Sequence, residues 1–121
     1  MGTLDVVTAL RRAIHAGLSV PVGEEVPERL PDEFVCVRRE GGRRLDALRD
    51  RPGVSVECWA LSEGRAREIS DAASELICSL PRTSFPAGVA AAEEETRRSD
   101  YDDERGRPRW YGSYTLTTFM A

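Results

Sequence analysis

The sequence contains no lysine, no asparagine and no glutamine, so all 17 of its basic residues are arginines. Lysine and asparagine have only AT-rich codons, which indicates a GC-rich genome such as an actinobacterial one. No apolar run approaches the roughly 20 residues that cross a bilayer, and the first residues lack the basic-then-apolar pattern of a secretory signal. We therefore predict a protein with no membrane span and no secretory leader. The formal net charge of -4 disfavours tight binding to a phosphate backbone.

Residues suited to catalysis or metal binding are scarce. The three cysteines, Cys36, Cys58 and Cys78, lie far apart in apolar runs, which is typical of reduced core thiols in a reducing compartment. The only histidine, His15, has no neighbouring ligand set. The sequence therefore predicts no catalytic residue, no metal and no cofactor. An enzyme would require a pocket that brings Cys36, Cys58 or His15 together with a carboxylate.

The length and periodicity of the chain predict a single domain over residues 1–121. Apolar residues at helical spacing predict a first helix over residues 3–16, ended by Gly17 as its C-terminal cap. A second amphipathic helix is expected to begin after Ser62 as its N-cap and to end at Pro81. The predicted fold is α+β, with two helices packed on a mostly antiparallel sheet.

Strand signals fill the rest of the chain. A short strand is expected around Val20 and Val22, and longer strands over residues 34–39 and 54–61. The charged, glycine-flanked residues 40–52 predict an exposed loop, with a helical turn at residues 45–49. A long C-terminal hairpin follows, with strands over residues 89–99 and 107–120. Its last strand carries aromatic and threonine side chains on both faces, so we expect part of the hairpin to project and to pack on a neighbouring subunit.

The turn of this hairpin is acidic, with Asp100, Asp102, Asp103 and Glu104. A calcium-binding EF-hand loop is excluded because arginine and tyrosine stand where that loop needs its glycine and its last glutamate. We therefore expect a solvated tip.

On an undistorted strand, Glu93, Glu95 and Arg97 share one face, which indicates a charge ladder on an exposed or intersubunit surface. A stacking platform for single-stranded nucleic acid, built from Trp110, Tyr111 and Tyr114, is the alternative for the last strand. Core and edge packing is the preferred interpretation, because these rings are divided between the two faces of the strand.

The order of these elements resembles the tail terminator family of long-tailed bacteriophages, which is related to neck and head-completion proteins. The resemblance is carried by the strand-to-helix unit "VSVECWALSEGRAREISDAASELICSL" and by the final "RPRWYGSYTLTTF". In that family a last strand with arginine, aromatic and threonine residues follows an acidic turn. Here the corresponding residues are Asp103, Arg107, Arg109, Tyr111 and Tyr114.

The resemblance implies a non-enzymatic virion protein, assembled in the host cytoplasm, that forms a hexameric ring. Such a ring caps the tail tube, stops its polymerisation and joins tail to head, while DNA passes through the lumen without specific binding. The expected partners are other copies of the chain, the tail tube protein and a neck or head-completion protein. The alternatives are a neck or head-completion protein itself, and a small cytoplasmic enzyme or nucleic-acid-binding module.

Specific residues are assigned to these expected surfaces. The expected subunit or tube interface consists of Glu93, Glu95, Arg97, Arg107, Arg109 and Tyr111. The acidic tip, Asp100, Asp102, Asp103 and Glu104, is expected to face the lumen.

Overall fold

A computed structural model describes residues 5–82 and 88–119. Two α-helices in this part of the chain pack on one face of a five-stranded sheet. The helices are α1 (Val6–Leu18) and α2 (Glu63–Ser79), and α2 runs into a short 3-10 helix, Leu80–Arg82. The strands are β1 (Val22–Gly23), β2 (Phe34–Arg44), β3 (Arg49–Trp59), β4 (Val89–Ser99) and β5 (Arg109–Phe119). Their order in the sheet is β1-β2-β3-β5-β4, and only the β1–β2 pair is parallel. The predicted α+β class, with a long C-terminal hairpin, is confirmed.

The core lies between the helices and the sheet. Each helix turns one apolar stripe toward the sheet, as the helical spacing predicts: α1 packs on β1 and β2, and α2 packs on β3, β4 and β5. Burial of these side chains is the main stabilising contribution, at about 25 cal/mol per Å² of apolar surface. The largest fully buried members are Leu10, Ile14, Val35, Val37, Val54, Val56, Ile69, Ile77, Tyr114 and Leu116.

The helix ends follow the sequence in part. Ser62 caps α2 as predicted, since its hydroxyl accepts the Arg65 N–H at 3.2 Å. The predicted C-cap at Gly17 is wrong, because α1 continues to Leu18 and Ser19 takes the left-handed conformation instead, with φ 56°. Gly17 is instead a packing position, where a Cβ atom would lie 2.5 Å from Leu76 Cδ1 of α2. The predicted start of α1 at residue 3 lies outside the described residues.

Strand β5 lies inside the sheet. It pairs with β3 from Trp59↔Arg109 to Arg49↔Phe119 and with β4 from Ser99↔Trp110 to Val89↔Thr118. The expectation that part of the hairpin projects is therefore wrong, since β5 is hydrogen-bonded on both sides along its length. Its order comes from its own sheet and requires no neighbouring subunit. Met120, which the sequence places on the same strand, lies outside the described residues.

Most of residues 40–52 are exposed, as predicted, but the prediction that they form a loop is wrong. Strands β2 and β3 continue through most of this segment as a hairpin, and the expected helical turn is a tight turn around Asp46. The Asp46 carboxylate accepts the N–H groups of Leu48 and Arg49, each at 2.9 Å, and so replaces backbone hydrogen bonds in the turn. The two polar strand ends therefore extend the sheet beyond the apolar core.

A bulge between Arg39 and Gly42 bends this hairpin, and it supplies a matched pair of test positions. Gly41 and Gly42 both have positive φ, 90° and 88°, but only at Gly42 would a Cβ atom overlap backbone, namely the Arg51 carbonyl oxygen. We expect Gly41→Ala to lower the free energy of unfolding by about 1 kcal/mol through the positive φ alone. Gly42→Ala should lower it by about 3 kcal/mol or more. Urea unfolding of both variants measures the difference, and equal losses would contradict this account.

Candidate assembly surface

The face of the sheet opposite the helices is covered at one end only. There, Val26 and Leu30 pack on Phe34, Cys36 and Trp59. Both residues belong to the proline-rich connection, which is the segment between β1 and β2. The remaining residues on this side form the open face. They are mostly polar, namely Arg38, Glu40, Arg43, Ser55, Glu57, Glu93, Glu95, Arg98, Arg109, Tyr111, Ser113 and Thr115. A sheet face with this composition suits contact with water or with a polar partner.

A line of alternating charges crosses the open face. The Glu57 carboxylate lies 3.9 Å from Arg38 and 3.6 Å from Arg109, and Arg109 lies 3.1 Å from Asp100. Burial raises the pKa of Glu57, while the two arginines oppose that rise. These contacts tie β2, β3 and β5 to the acidic turn.

The acidic turn is not the uniformly solvated tip that the sequence predicts. Asp102 is only 3% exposed, and its carboxylate accepts the indole N–H of Trp59 at 2.9 Å and the Arg105 guanidinium at 3.0 Å. The solvated interpretation is wrong for Asp102, whose carboxylate is held by contacts within the chain. Asp103 and Glu104 are exposed, and their expected lumen position, like that of Asp100, stays a prediction.

All three predicted interface arginines have partners inside the chain, and Arg97 pairs with Asp71. Arg107 donates to the carbonyl oxygens of Pro31, at 2.9 Å, and of Ala60, at 3.3 Å. It thereby fixes the proline-rich connection against the end of β3. Arg109 is 19% exposed and lies over the Trp59 ring with 5.6 Å to the centroid. A further contact of any of these arginines with a neighbouring subunit stays a prediction.

A second bulge, between Glu94 and Thr96, divides the charged residues of β4. Glu93 and Glu95 lie exposed on the open face, whereas Arg97 points to the helices and pairs with Asp71 of α2. The predicted sharing of one face by all three is therefore wrong for Arg97, because one extra residue shifts the alternation.

Tyr111 lies half-buried on the open face beneath Arg98, whose guanidinium is 4.5 Å from the ring centroid. The other two rings of the predicted platform lie on the opposite side: Tyr114 is in the core and Trp110 packs against it. The rings therefore do not form the continuous stacking platform that a single-strand binder would use.

The groups that an enzyme would need lie apart. Cys36 is on the open-face side under the proline-rich connection, and Cys58 is in the core between sheet and helices. Burial raises the pKa of Cys58 to about 12, so this thiol is protonated at neutral pH. His15 lies at the end of α1, where its Nδ1 is 3.1 Å from the Val20 carbonyl oxygen. In residues 5–82 and 88–119 no group of three His, Cys, Asp or Glu residues is placed to hold a metal ion, and no helix has the length and apolarity to span a bilayer.

Sequence reasoning missed the charged hairpin end of β2 and β3. Glu40 and Arg43 of this hairpin line a groove of about 440 Å³ with Glu95 of β4, so the open face continues to its outermost strands. The available signal was the turn "LDAL" between two arginine-rich segments, which is consistent with a polar hairpin.

No family model and no curated protein matches the sequence. Among solved structures, a chain of one described as "Virion of native gene transfer agent (GTA) particle" is similar in fold. The TM-score is 0.71 with 12% sequence identity, and the match covers 97% of this chain and 95% of that chain. This likeness shows a shared fold over nearly the whole length of both chains.

Proposed function

We propose that this chain is a virion protein that forms a ring on the phage tail tube, ends tube polymerisation and joins tail to head. The observation that carries the proposal is the fold shared over 97% of the chain with a chain of the gene transfer agent virion. The order of elements that suggests a tail terminator in the sequence is also the order in the structure, apart from the extended β2–β3 hairpin.

The surface of the protein fits a structural role. Its polar sheet face carries charges of both signs, and the cysteines and histidine are dispersed. A ring through which DNA passes should not retain phosphates, and a net charge of -4 meets that requirement. The proposed partners are other copies of the chain in a ring of six, the tail tube protein and a neck or head-completion protein. The virion is proposed to assemble in the host cytoplasm.

The proposal is tested by light-scattering mass of the protein, alone and mixed with the tail tube protein of the same genome. We expect a mass near six subunits, or tubes that stop at a fixed length when the protein is added. A persistent monomer with no effect on tube length would contradict the terminator role. A neck or head-completion protein would instead bind the connector on the head side and leave tube growth unchanged.

A further inference from the structure

Both outer edges of the sheet are open. β1 covers β2 only at Val35 and Cys36, and β4 is the last strand on the other side. In the described parts of the chain, no strand pairs with the outer edge of β2 beyond Cys36 or with that of β4. Unpaired strand edges present backbone donors and acceptors to any further strand.

The two open edges have compatible directions. β3 is antiparallel to β2 and to β5, and β4 is antiparallel to β5, so β2 and β4 run in opposite directions. Rotation of a second copy about an axis along the strands keeps those directions. β4 of one copy would then meet β2 of the next as an antiparallel pair, which is the pairing that dominates this sheet.

The charges on the two edges are complementary in one register. Because the two strands run in opposite directions, residue numbers rise along β2 where they fall along β4. In this register, three pairs of oppositely charged residues lie across from each other. These pairs are Glu40 with Arg98, Arg43 with Glu95, and Arg44 with Glu94. Opposite charges directly across two strands stabilise their pairing, and like charges oppose it.

The same register matches the faces of the two strands. Glu40, Arg43, Glu95 and Arg98 belong to the open face. Arg44 and Glu94 belong to the helix side, since their pairing partners Asp50 and Tyr114 are buried there. In this register the bulge after Arg39 in β2 lies across from Arg97 and Arg98, and the bulge after Glu94 in β4 lies across from Arg43, so the two bulges are close together but not opposite each other.

We infer that copies of this chain join edge to edge, with β4 of one subunit added to β2 of the next. The interface is heterologous, so its repetition builds a closed ring or an open filament rather than a two-fold dimer, and the proposed function requires the ring. This inference rests on the proposed function for the existence of a ring, and it names the surface that builds it. The sheets of neighbouring subunits then form one continuous belt around the lumen.

Two single charge reversals and their mixture test this pairing. Arg43→Glu and Glu95→Arg each place like charges at every junction, so we expect association to weaken by about tenfold or more. In an equimolar mixture, alternating subunits restore opposite charges at every junction, and we expect rings to return. Both positions are exposed, so the monomers should unfold at the wild-type temperature. Arg12→Glu and Glu75→Arg, exposed on the helices, carry the same charge changes and should assemble normally.

Light-scattering mass is measured for each sample, alone and with the tail tube protein of the same genome. Rings formed by either single variant as readily as by wild type would overturn edge pairing while leaving the ring intact. Monomers in the mixture as well as in the single variants would also overturn it. A wild-type protein that never assembles, alone or on the tube, contradicts both edge pairing and the proposed function. If wild type and the mixture form rings, the single variants do not, and tube length is unchanged, the result supports edge pairing and refutes the terminator role.

Discussion

Tyr114→Asp is expected to prevent folding. Tyr114 is 1% exposed, lies on the interior strand β5 and contacts the main core. Truncating a buried aromatic residue costs about 3–5 kcal/mol, and an unpaired carboxylate in its place adds a further penalty. The sum approaches the whole stability of a domain of this size, which is about 5–15 kcal/mol. We expect insoluble protein, or a soluble fraction without a cooperative unfolding transition in urea.

Tyr114→Phe is the matched control. It keeps the ring and removes only the phenol, which hydrogen-bonds to Ser74 of α2 and whose pKa burial raises to about 12. We expect this variant to fold and to lose about 1 kcal/mol of unfolding free energy. A folded, cooperative Tyr114→Asp protein would show that β5 is not part of the core.

Asp102→Ala is expected to lower the free energy of unfolding by about 3 kcal/mol. The change leaves the buried indole N–H of Trp59 without an acceptor and removes the carboxylate from beside Arg105 and Arg109. Asp102→Asn keeps an acceptor for Trp59, so it should lose less, about 1–2 kcal/mol. Asp103→Asn, at an exposed position of the same turn, should change stability by less than about 0.5 kcal/mol. Urea unfolding at pH 7 measures all three, and equal losses for Asp102→Asn and Asp103→Asn would contradict the buried role of Asp102.

The contribution of Asp102 should depend on pH. Burial raises the pKa of its carboxyl, but hydrogen bonds from Trp59 and Arg105 outweigh that effect, and the net shift is downward from 3.8. A lowered pKa in the folded state means that the charged form stabilises the fold above about pH 4, and that this stabilisation is lost as pH falls below that value. The stability gap between wild type and Asp102→Asn should therefore narrow between pH 5 and pH 3. A constant gap would indicate that Asp102 acts through shape alone.

The helices and the class of fold could be predicted from the sequence because their signals are local. Ser62 and the apolar spacing of α2 need no distant partner to be recognised. The sequence misplaces the end of α1 because glycine often ends helices, whereas Gly17 lies inside α1, where Leu76 of α2 packs close to it.

The strand arrangement depends on distant contacts and could not be predicted. Residues 40–52 carry no apolar alternation, and they become strand because β5 pairs along β3 on the other side. The burial of Asp102 requires Trp59, which is 43 residues away in sequence. The bulge that turns Arg97 toward α2 has no sequence signature, since any polar residue can occupy it.

The position of β5 between β3 and β4 also determines how the chain must fold. Residues 5–82 can build β1, β2, β3 and both helices, but β3 then presents a bare edge with Val54 and Val56 beside it. Only docking of the β4–β5 hairpin closes that edge, through contacts between residues about 50 positions apart, such as Val56 and Gly112. Such non-local closure is slow compared with helix formation. A partly folded chain with an unpaired β3 is the species most exposed to aggregation, so refolding yield should fall as protein concentration rises.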